Sequence, residues 1–197
     1  MTLIGIDESG TGALAGPFVV CACAFVSPPP QGLRDSKKLS AKRRFDFTAE
    51  LLSGPAILAI EVVTPDTIRR LGHQKSWEAA VLAAAARVAK HLLTSATPPT
   101  TVETLVDGNG SAALRSSFFA AGLRVSFEPK ADDTYPEVSA ASIVAKTERT
   151  QWMEELHRQY PEYEWNRNAG YGTPHHLAEI KRRGTTTEHR PCDLKKP

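Results

Sequence analysis

The sequence contains no apolar run approaching the roughly 20 residues that a membrane-crossing helix requires, so a helical span is excluded and no membrane partner is expected. Cysteine is scarce: Cys21, Cys23 and Cys192 are the whole set. An odd count without zinc-type spacing excludes a disulfide framework or a cysteine metal site and fits a reducing compartment. Cys21 and Cys23, two apart in an apolar run, share one strand face and read as small core residues. No stretch ahead of the first apolar run has the length of a targeting segment, so a cytoplasmic location is expected. Internal repeats and Pro/Gly/Ser-rich linkers are also missing, so residues 1–197 read as a single domain, with 161–197 as its helical and tail extension. The net charge is only +2, too small to name a partner. Arg34, Lys37, Lys38, Lys42, Arg43 and Arg44 nevertheless crowd around the single Asp35, and Lys181, Arg182, Arg183, Arg190, Lys195 and Lys196 form a second basic group. Such groups either meet on one face and bind a polyanion or remain solvated helix faces, and charge alone does not choose.

Hydrophobic period and turn signals predict the elements. Strands are expected at Leu3–Asp7, Phe18–Val26, Ala56–Val63, Thr101–Asp107 and Leu123–Phe127. Helices are expected at Ala41–Leu52 behind a Ser40 cap, from Pro65 to near Gly72, and at Ser76–Leu93, Ala112–Ala121, Glu137–Tyr160 and Pro174–Arg183, with a tail after Gly184. Asn166–Gly172 reads as a polar loop. Three early strands followed by alternating helices and strands make an α/β fold with a mixed five-stranded sheet flanked by helices and a helical C-terminal part.

The first seventeen residues carry the densest signal. An apolar run ends on Asp7 and Glu8, passes through Gly10-Thr11-Gly12, and re-enters a second apolar run after Gly16-Pro17. Neighbouring side chains of a strand point to opposite faces, so the two acids converge on one cation only if the chain turns there, a turn that Gly10 and Gly12 permit. The glycine spacing is one residue too long for a dinucleotide fingerprint, no Lys-Ser or Lys-Thr follows as in a P-loop, and Pro17 opens a strand where both motifs need a helix. What remains is a bend whose backbone N–H groups can face a phosphate.

Asp107 closes the fourth predicted strand, and Asp132-Asp133 follows the fifth. In α/β sheets, sites gather beyond the carboxyl ends of strands. Four carboxylates from these places suit a two-metal site with ions roughly 3.5–4 Å apart. Strand-end aspartates are also ordinary turn residues. Lys146 follows Ser142 by one helical turn and lies on the same face. Adjacent His175 and His176 diverge on a helix and read, with His189, as surface or packing residues, His189 having a weaker claim to the substrate's vicinity.

Six segments in order, Gly5-Ile6-Asp7-Glu8-Ser9-Gly10, Arg34-Asp35-Ser36-Lys37-Lys38-Leu39, Val106-Asp107-Gly108-Asn109, Lys130-Ala131-Asp132-Asp133, Ser139-Ala140-Ala141-Ser142-Ile143-Val144-Ala145-Lys146 and Gly170-Tyr171-Gly172-Thr173, resemble ribonuclease HII over nearly the whole chain. The resemblance implies a ribonuclease H-like fold. It also implies Mg²⁺- or Mn²⁺-dependent cleavage, by two metals, of the RNA strand of RNA–DNA hybrids and of RNA embedded in duplex DNA, leaving 5′-phosphate and 3′-hydroxyl ends. It implies Asp7, Glu8, Asp107 and Asp132 as metal-binding catalytic carboxylates, Asp132 rather than Asp133 because it follows Lys-Ala. Lys37, Lys38, Ser139 and Ser142 match positions that hold the nucleic-acid backbone, and Lys146 falls near that face. Tyr171 matches a tyrosine that stacks on a sugar at the RNA–DNA junction, and Gly10, Thr11 and Gly12 occupy the turn that reads it.

The chain departs from the family at Thr11, where an arginine is usual. Gly-Thr-Gly is closer to ribonuclease HIII, which cleaves hybrids without a strong junction preference, yet Asp7 already lies in the first predicted strand, so that family's N-terminal substrate-binding domain is not expected, and Tyr171 is retained. Thr150 replaces a common aspartate that caps or packs the helix, and the tail is shorter than in some relatives. A monomeric enzyme is expected. The alternatives are a junction-indifferent nuclease of ribonuclease HIII type and a hybrid-binding module that does not cut.

Overall fold

A computed structural model describes residues 1–33, 39–54 and 56–190. Five strands, β1 (Thr2–Ser9), β2 (Phe18–Phe25), β3 (Ala56–Val63), β4 (Val102–Asp107) and β5 (Arg124–Glu128), form one sheet in the order β3-β2-β1-β4-β5. β1 pairs antiparallel with β2 and parallel with β4, and β4 pairs parallel with β5. The sheet is therefore mixed, and β1, β4 and β5 finish at the same edge.

The seven helices of the described residues are α1 (Ala41–Leu52), α2 (Pro65–Leu71), α3 (His73–Leu93), α4 (Ala112–Ala120), α5 (Pro136–Gln159), α6 (Trp165–Asn168) and α7 (Pro174–Arg183). The α1, α2, α4 and α7 N-termini are each capped by a Ser or Thr hydroxyl accepting a backbone N–H: Ser40, Thr64, Ser111 and Thr173. Pro65 and Pro174 occupy first turns, where a missing N–H costs nothing. No helix among the described residues is long and apolar enough to cross a membrane.

The sheet is covered on both sides, which is why β2 is buried along nearly its whole length instead of alternating. Ile4, Ile6, Phe18, Val20 and Val106 pack against α3 residues such as Val81 and Val88. On the other face Val19, Cys21 and Cys23 pack against Ala140, Ile143 and Val144 of α5. Both cysteines have no exposed surface, as their spacing predicts. Cys192 lies outside the described residues. Gly5 admits α5 to the sheet: a Cβ there would overlap backbone atoms of Glu137 and Val138. That close approach brings the first three turns of α5 over the end of β1.

Three expectations need correction. β1 does not stop at Asp7 but continues to Ser9, with Glu8 opposite Val20 and Ser9 opposite Val19. The stretch read as a loop from Asn166 contains the short helix α6. The chain after Gly184 is no loose tail up to Arg190, because His189 and Arg190 are fully buried. Smaller boundary shifts, such as α3 starting at His73 instead of Ser76, leave the architecture unchanged.

Candidate metal and nucleic-acid site

The carboxylates assemble at the shared edge of β1 and β4. The pairing of Ile6 with Val106 carries on by one residue, setting Asp7 beside Asp107 on the α5 face. Asp7 is buried and accepts the Glu8 N–H at 2.7 Å and a bond from the Ser142 side chain of α5. Because β1 stays straight through Ser9, Glu8 points to the opposite face, where Trp77 Nε1 of α3 donates to its Oε2 at 3.2 Å. The acids thus do not converge through a turn, as the glycines suggested. They straddle the end of the sheet.

Asp107 Oδ1 accepts the Ala131 N–H at 2.8 Å, which ties the 3-10 turn Ala131–Asp133 to the end of β4. Within that turn Asp132 is buried and Asp133 exposed. Asp132 lines a recess of about 180 Å³ together with Leu33 and Pro136. The structure therefore brings Asp7, Glu8 and Asp107 within reach of one another's charge, and it ties the turn that carries Asp132 to Asp107 through the Ala131 N–H.

Asp7 and Glu8 resist ionisation. Burial pushes Asp7 up to about 6, the Asp107 charge adds to the rise, and the hydrogen bonds from Ser142 and the Glu8 N–H and the charge of Lys146 oppose it. Burial and then the charge of Asp7 push Glu8 up to about 7, against the Trp77 N–H and Lys146. Repelling carboxylates opposed by one lysine favour an added cation. Among the described residues no three His, Cys, Asp or Glu side chains close into one coordination shell. A hard divalent ion does not need such a shell: Mg²⁺ is held by one or two carboxylates together with waters and substrate phosphates. The all-oxygen donor set, with the raised proton affinities of Asp7 and Glu8, fits that ion.

Ser139, Ser142 and Lys146 follow one face of α5 at helical spacing. Ser142 is fully buried, and its Oγ accepts from Lys146 Nζ at 2.7 Å while the hydroxyl serves Asp7. Ser139 is buried too, and its hydroxyl has no hydrogen-bond partner among the described residues. Thr150 sits on the exposed side of the helix and bonds back to the Lys146 carbonyl at 2.8 Å.

Gly10, at φ +88, opens the turn, and the Ala13 N–H closes it onto the Gly10 carbonyl at 3.2 Å. A Cβ on Gly10 would overlap the guanidinium of Arg149, whereas one on Gly12 meets nothing. Thr11 is half-buried, and its carbonyl accepts from His73 Nε2 at 2.9 Å. Tyr171 is 43% exposed with the Arg149 guanidinium 5.4 Å from its ring centre. Ser9, Arg44, Lys146, Arg149, Asn166 and Tyr171 line a single open groove of about 600 Å³ beside the carboxylates. Lys37 and Lys38 fall outside the described residues.

The sequence reading missed Trp77, Arg149, His73 and Arg190 around this site. Arg149 offered a signal, as a cation nearly one turn beyond Lys146 on the same helix. Trp77 gave none, because an indole within a helical apolar pattern carries no sign of an acceptor 69 residues away. Of the histidines, His175 is exposed near Glu164, while His176 and His189 are buried together. The divergence of His175 from His176 matches the expectation.

A profile of the Ribonuclease HII family matches residues 4–196. Ribonuclease HII of Novosphingobium aromaticivorans is 40% identical over 190 residues, spanning 96% of this chain and 94% of that protein. Ribonuclease HII of Nitrosospira multiformis is 36% identical over 188 residues, spanning 94% and 86%. Among solved structures, the RNase HII of Archaeoglobus fulgidus, determined as a complex with PCNA, superposes with a TM-score of 0.75 at 28% identity, covering 96% of this chain and 94% of that one. Bst-RNase HIII in complex with Mn²⁺ shares the fold, with a TM-score of 0.70 at 20% identity over 93% of this chain and 63% of that one.

Proposed function

Since the chain belongs to the ribonuclease HII family, we propose that it works as an endoribonuclease on RNA–DNA hybrids and on RNA embedded in duplex DNA, with Asp7, Glu8, Asp107 and Asp132 as its metal-binding catalytic carboxylates. The observation that carries the assignment is the gathering of Asp7, Glu8 and Asp107 at the common end of β1 and β4, with Asp7 buried. Held by these carboxylates, divalent Mg²⁺ or Mn²⁺ would supply the positive charge that activates a water and stabilises the departing 3′ oxygen.

The chain's own residues hold and orient. Ser142 fixes the carboxylate of Asp7, and Trp77 fixes that of Glu8, so each is presented in one rotamer. Lys146, bonded to Ser142, places a positive charge at the groove wall where a phosphate passes. Tyr171 offers an exposed ring for stacking on a sugar, stiffened from behind by Arg149. The turn Gly10-Thr11-Gly12 approaches the nucleic acid with backbone N–H groups in place of a long cationic side chain. Lys37, Lys38 and Ser139 are assigned to the nucleic-acid backbone from the sequence resemblance. The whole chain acts as one monomeric catalytic unit.

Thr11 favours a second reading of substrate preference, in which cutting is nearly indifferent to the junction, as in a ribonuclease HIII-type enzyme. A non-cleaving hybrid binder is disfavoured, because buried, mutually repelling acids beside a polyanion weaken binding unless a cation joins them. The test is purified protein with Mg²⁺, Mn²⁺ or EDTA on a continuous hybrid and on a duplex carrying one ribonucleotide. Metal-dependent cuts leaving 5′-phosphates are expected, at several positions in the hybrid and with a modest preference for the single ribonucleotide. Thr11→Arg should sharpen that preference. Binding without cutting under every metal condition would sink the nuclease reading.

A further inference from the structure

The segment Thr186–Arg190 lies far in sequence from the glycine turn, yet it joins that turn to the neighbourhood of Tyr171. Arg190 is fully buried. Its Nη1 donates to the carbonyls of Gly10 at 2.8 Å and Thr11 at 3.2 Å, and its Nε to that of Gly16 at 2.7 Å. One planar guanidinium therefore clasps both ends of the glycine turn, geometry that a planar fork of donors provides and a single ammonium does not. The backbone repeats the clasp: Arg190 N–H donates to the Leu14 carbonyl, Gly16 N–H to that of Glu188, and Ala15 bridges His189 as in an antiparallel pair.

His189 extends the connection to Tyr171. Its Nδ1 accepts the Thr186 N–H at 3.0 Å, so the ring is neutral and carries its proton on Nε2. Burial and the neighbouring His176 keep it so, pushing its pKa down to about 4. The Nε2–H, at 3.2 Å, and the Trp165 Nε1–H, at 3.0 Å, share the one lone pair of His176 Nε2. His176 in turn donates from Nδ1 to the Tyr171 carbonyl at 2.9 Å, since a carbonyl only accepts. The Leu14 and Ala15 N–H groups close the circuit by donating to the Gly170 carbonyl.

We propose that Arg190 and His189 are positioning residues that set the gap between the glycine turn and Tyr171, and through that gap the preference for an isolated ribonucleotide over a continuous hybrid. The proposal rests on the ribonuclease reading above. A junction is sensed at two places at once, by backbone groups at the 2′-hydroxyl and by a ring on the adjoining sugar, so selectivity depends on how rigidly the two are spaced. A continuous hybrid offers a 2′-hydroxyl at every step and tolerates a looser gap.

The experiment compares Arg190→Lys and His189→Asn with wild type on both substrates, with folding checked by circular dichroism. Lysine keeps the charge but cannot hold Gly10 and Gly16 together. Asparagine keeps an acceptor for Thr186 and loses the donor to His176. For each variant we expect KM for the single-ribonucleotide duplex to rise about tenfold, with kcat within about twofold of wild type and hybrid cleavage little changed. A role confined to stability lowers the active fraction on both substrates alike and leaves KM and the preference where they were. That result overturns the proposal. If Arg190→Lys does not fold, His189→Asn decides alone. If neither folds, hydrogen exchange of the wild type decides: residues 10–16, 168–172 and 186–190 should open with one common free energy, and independent opening of 186–190 overturns the proposal. A wild type that cuts neither substrate overturns the ribonuclease reading instead, and the selectivity claim with it.

Discussion

Replacing Asp7 with asparagine should stabilise the metal-free protein while abolishing its cleavage, and the stabilisation should grow with pH. Asp7 is 5% exposed, and burial raises its carboxyl from 3.8 to about 6. A group raised in the folded state contributes stability that is complete below the unfolded value and is lost as pH rises through the folded one. Between about pH 4 and about pH 8 the wild type should therefore lose roughly 3 kcal/mol through this side chain alone, a loss the amide does not suffer. Removing the Asp7 charge also relieves Glu8, whose own rise owes its second-largest part to Asp7, so the coupled effect has the same sign. The hydrogen bond from the Glu8 N–H survives, because an amide oxygen accepts it as the carboxylate Oδ1 does. The measurement is urea unfolding of both proteins in EDTA across that pH range, repeated with Mg²⁺. Metal should restore stability to wild type by binding only the folded state, and should do much less for the variant. A stability difference that stays flat with pH, or that favours wild type at alkaline pH without metal, would refute the reasoning that the site is a store of unfavourable charge awaiting a cation.

Three further outcomes are expected. Asp132→Asn should remove nearly all metal-dependent cleavage and Asp133→Asn little, because Asp132 is buried beside the Asp107-bound turn and Asp133 is exposed; equal losses in a single-turnover assay would undo that choice. Gly5→Ala should lift α5 from the sheet, since the new methyl meets the Glu137 and Val138 backbone, costing about 1–3 kcal/mol of stability in denaturant titrations; a variant as stable as wild type would mean that this approach is not tight. Lys37→Ala should reduce the slope of log affinity for hybrid against log salt by roughly 0.7–0.9, one phosphate's worth; an unchanged slope would make the basic run a solvated face.

How much of this was legible in the sequence depends on how local each signal was. The α1 helix appears as read, Ala41–Leu52 behind Ser40, because a cap and a helical apolar period are written within a dozen residues. β3 likewise matches Ala56–Val63, its apolar and β-branched run bounded by turn residues. The continuation of β1 to Ser9 was hidden because two acids and a glycine mimic a strand end. What holds them in the strand is the ladder to Val19 and Val20, which lie beyond the turn. The candidate carboxylates were legible as strand-end acids, and the family resemblance ranked Asp132 above Asp133. Their opposite faces and shared charge penalty required the sheet.

The groups around the carboxylates were not legible, for a physical reason. Trp77 meets Glu8 across 69 residues, and Arg190 meets Gly16 across 174. Neither contact leaves a period, a spacing or a compositional bias, because a donor supporting a distant acceptor needs only to arrive at the right place. The basic C-terminal group shows how this misleads. Arg190 reads there as one more surface cation beside Arg182 and Arg183, which the structure leaves exposed on α7 around Glu179. Its guanidinium instead faces three backbone carbonyls, a set of acceptors that no residue type announces. A sequence can therefore present its strand-end acids plainly while remaining silent on the buried guanidinium that ties the neighbouring glycine turn to a segment 174 residues away.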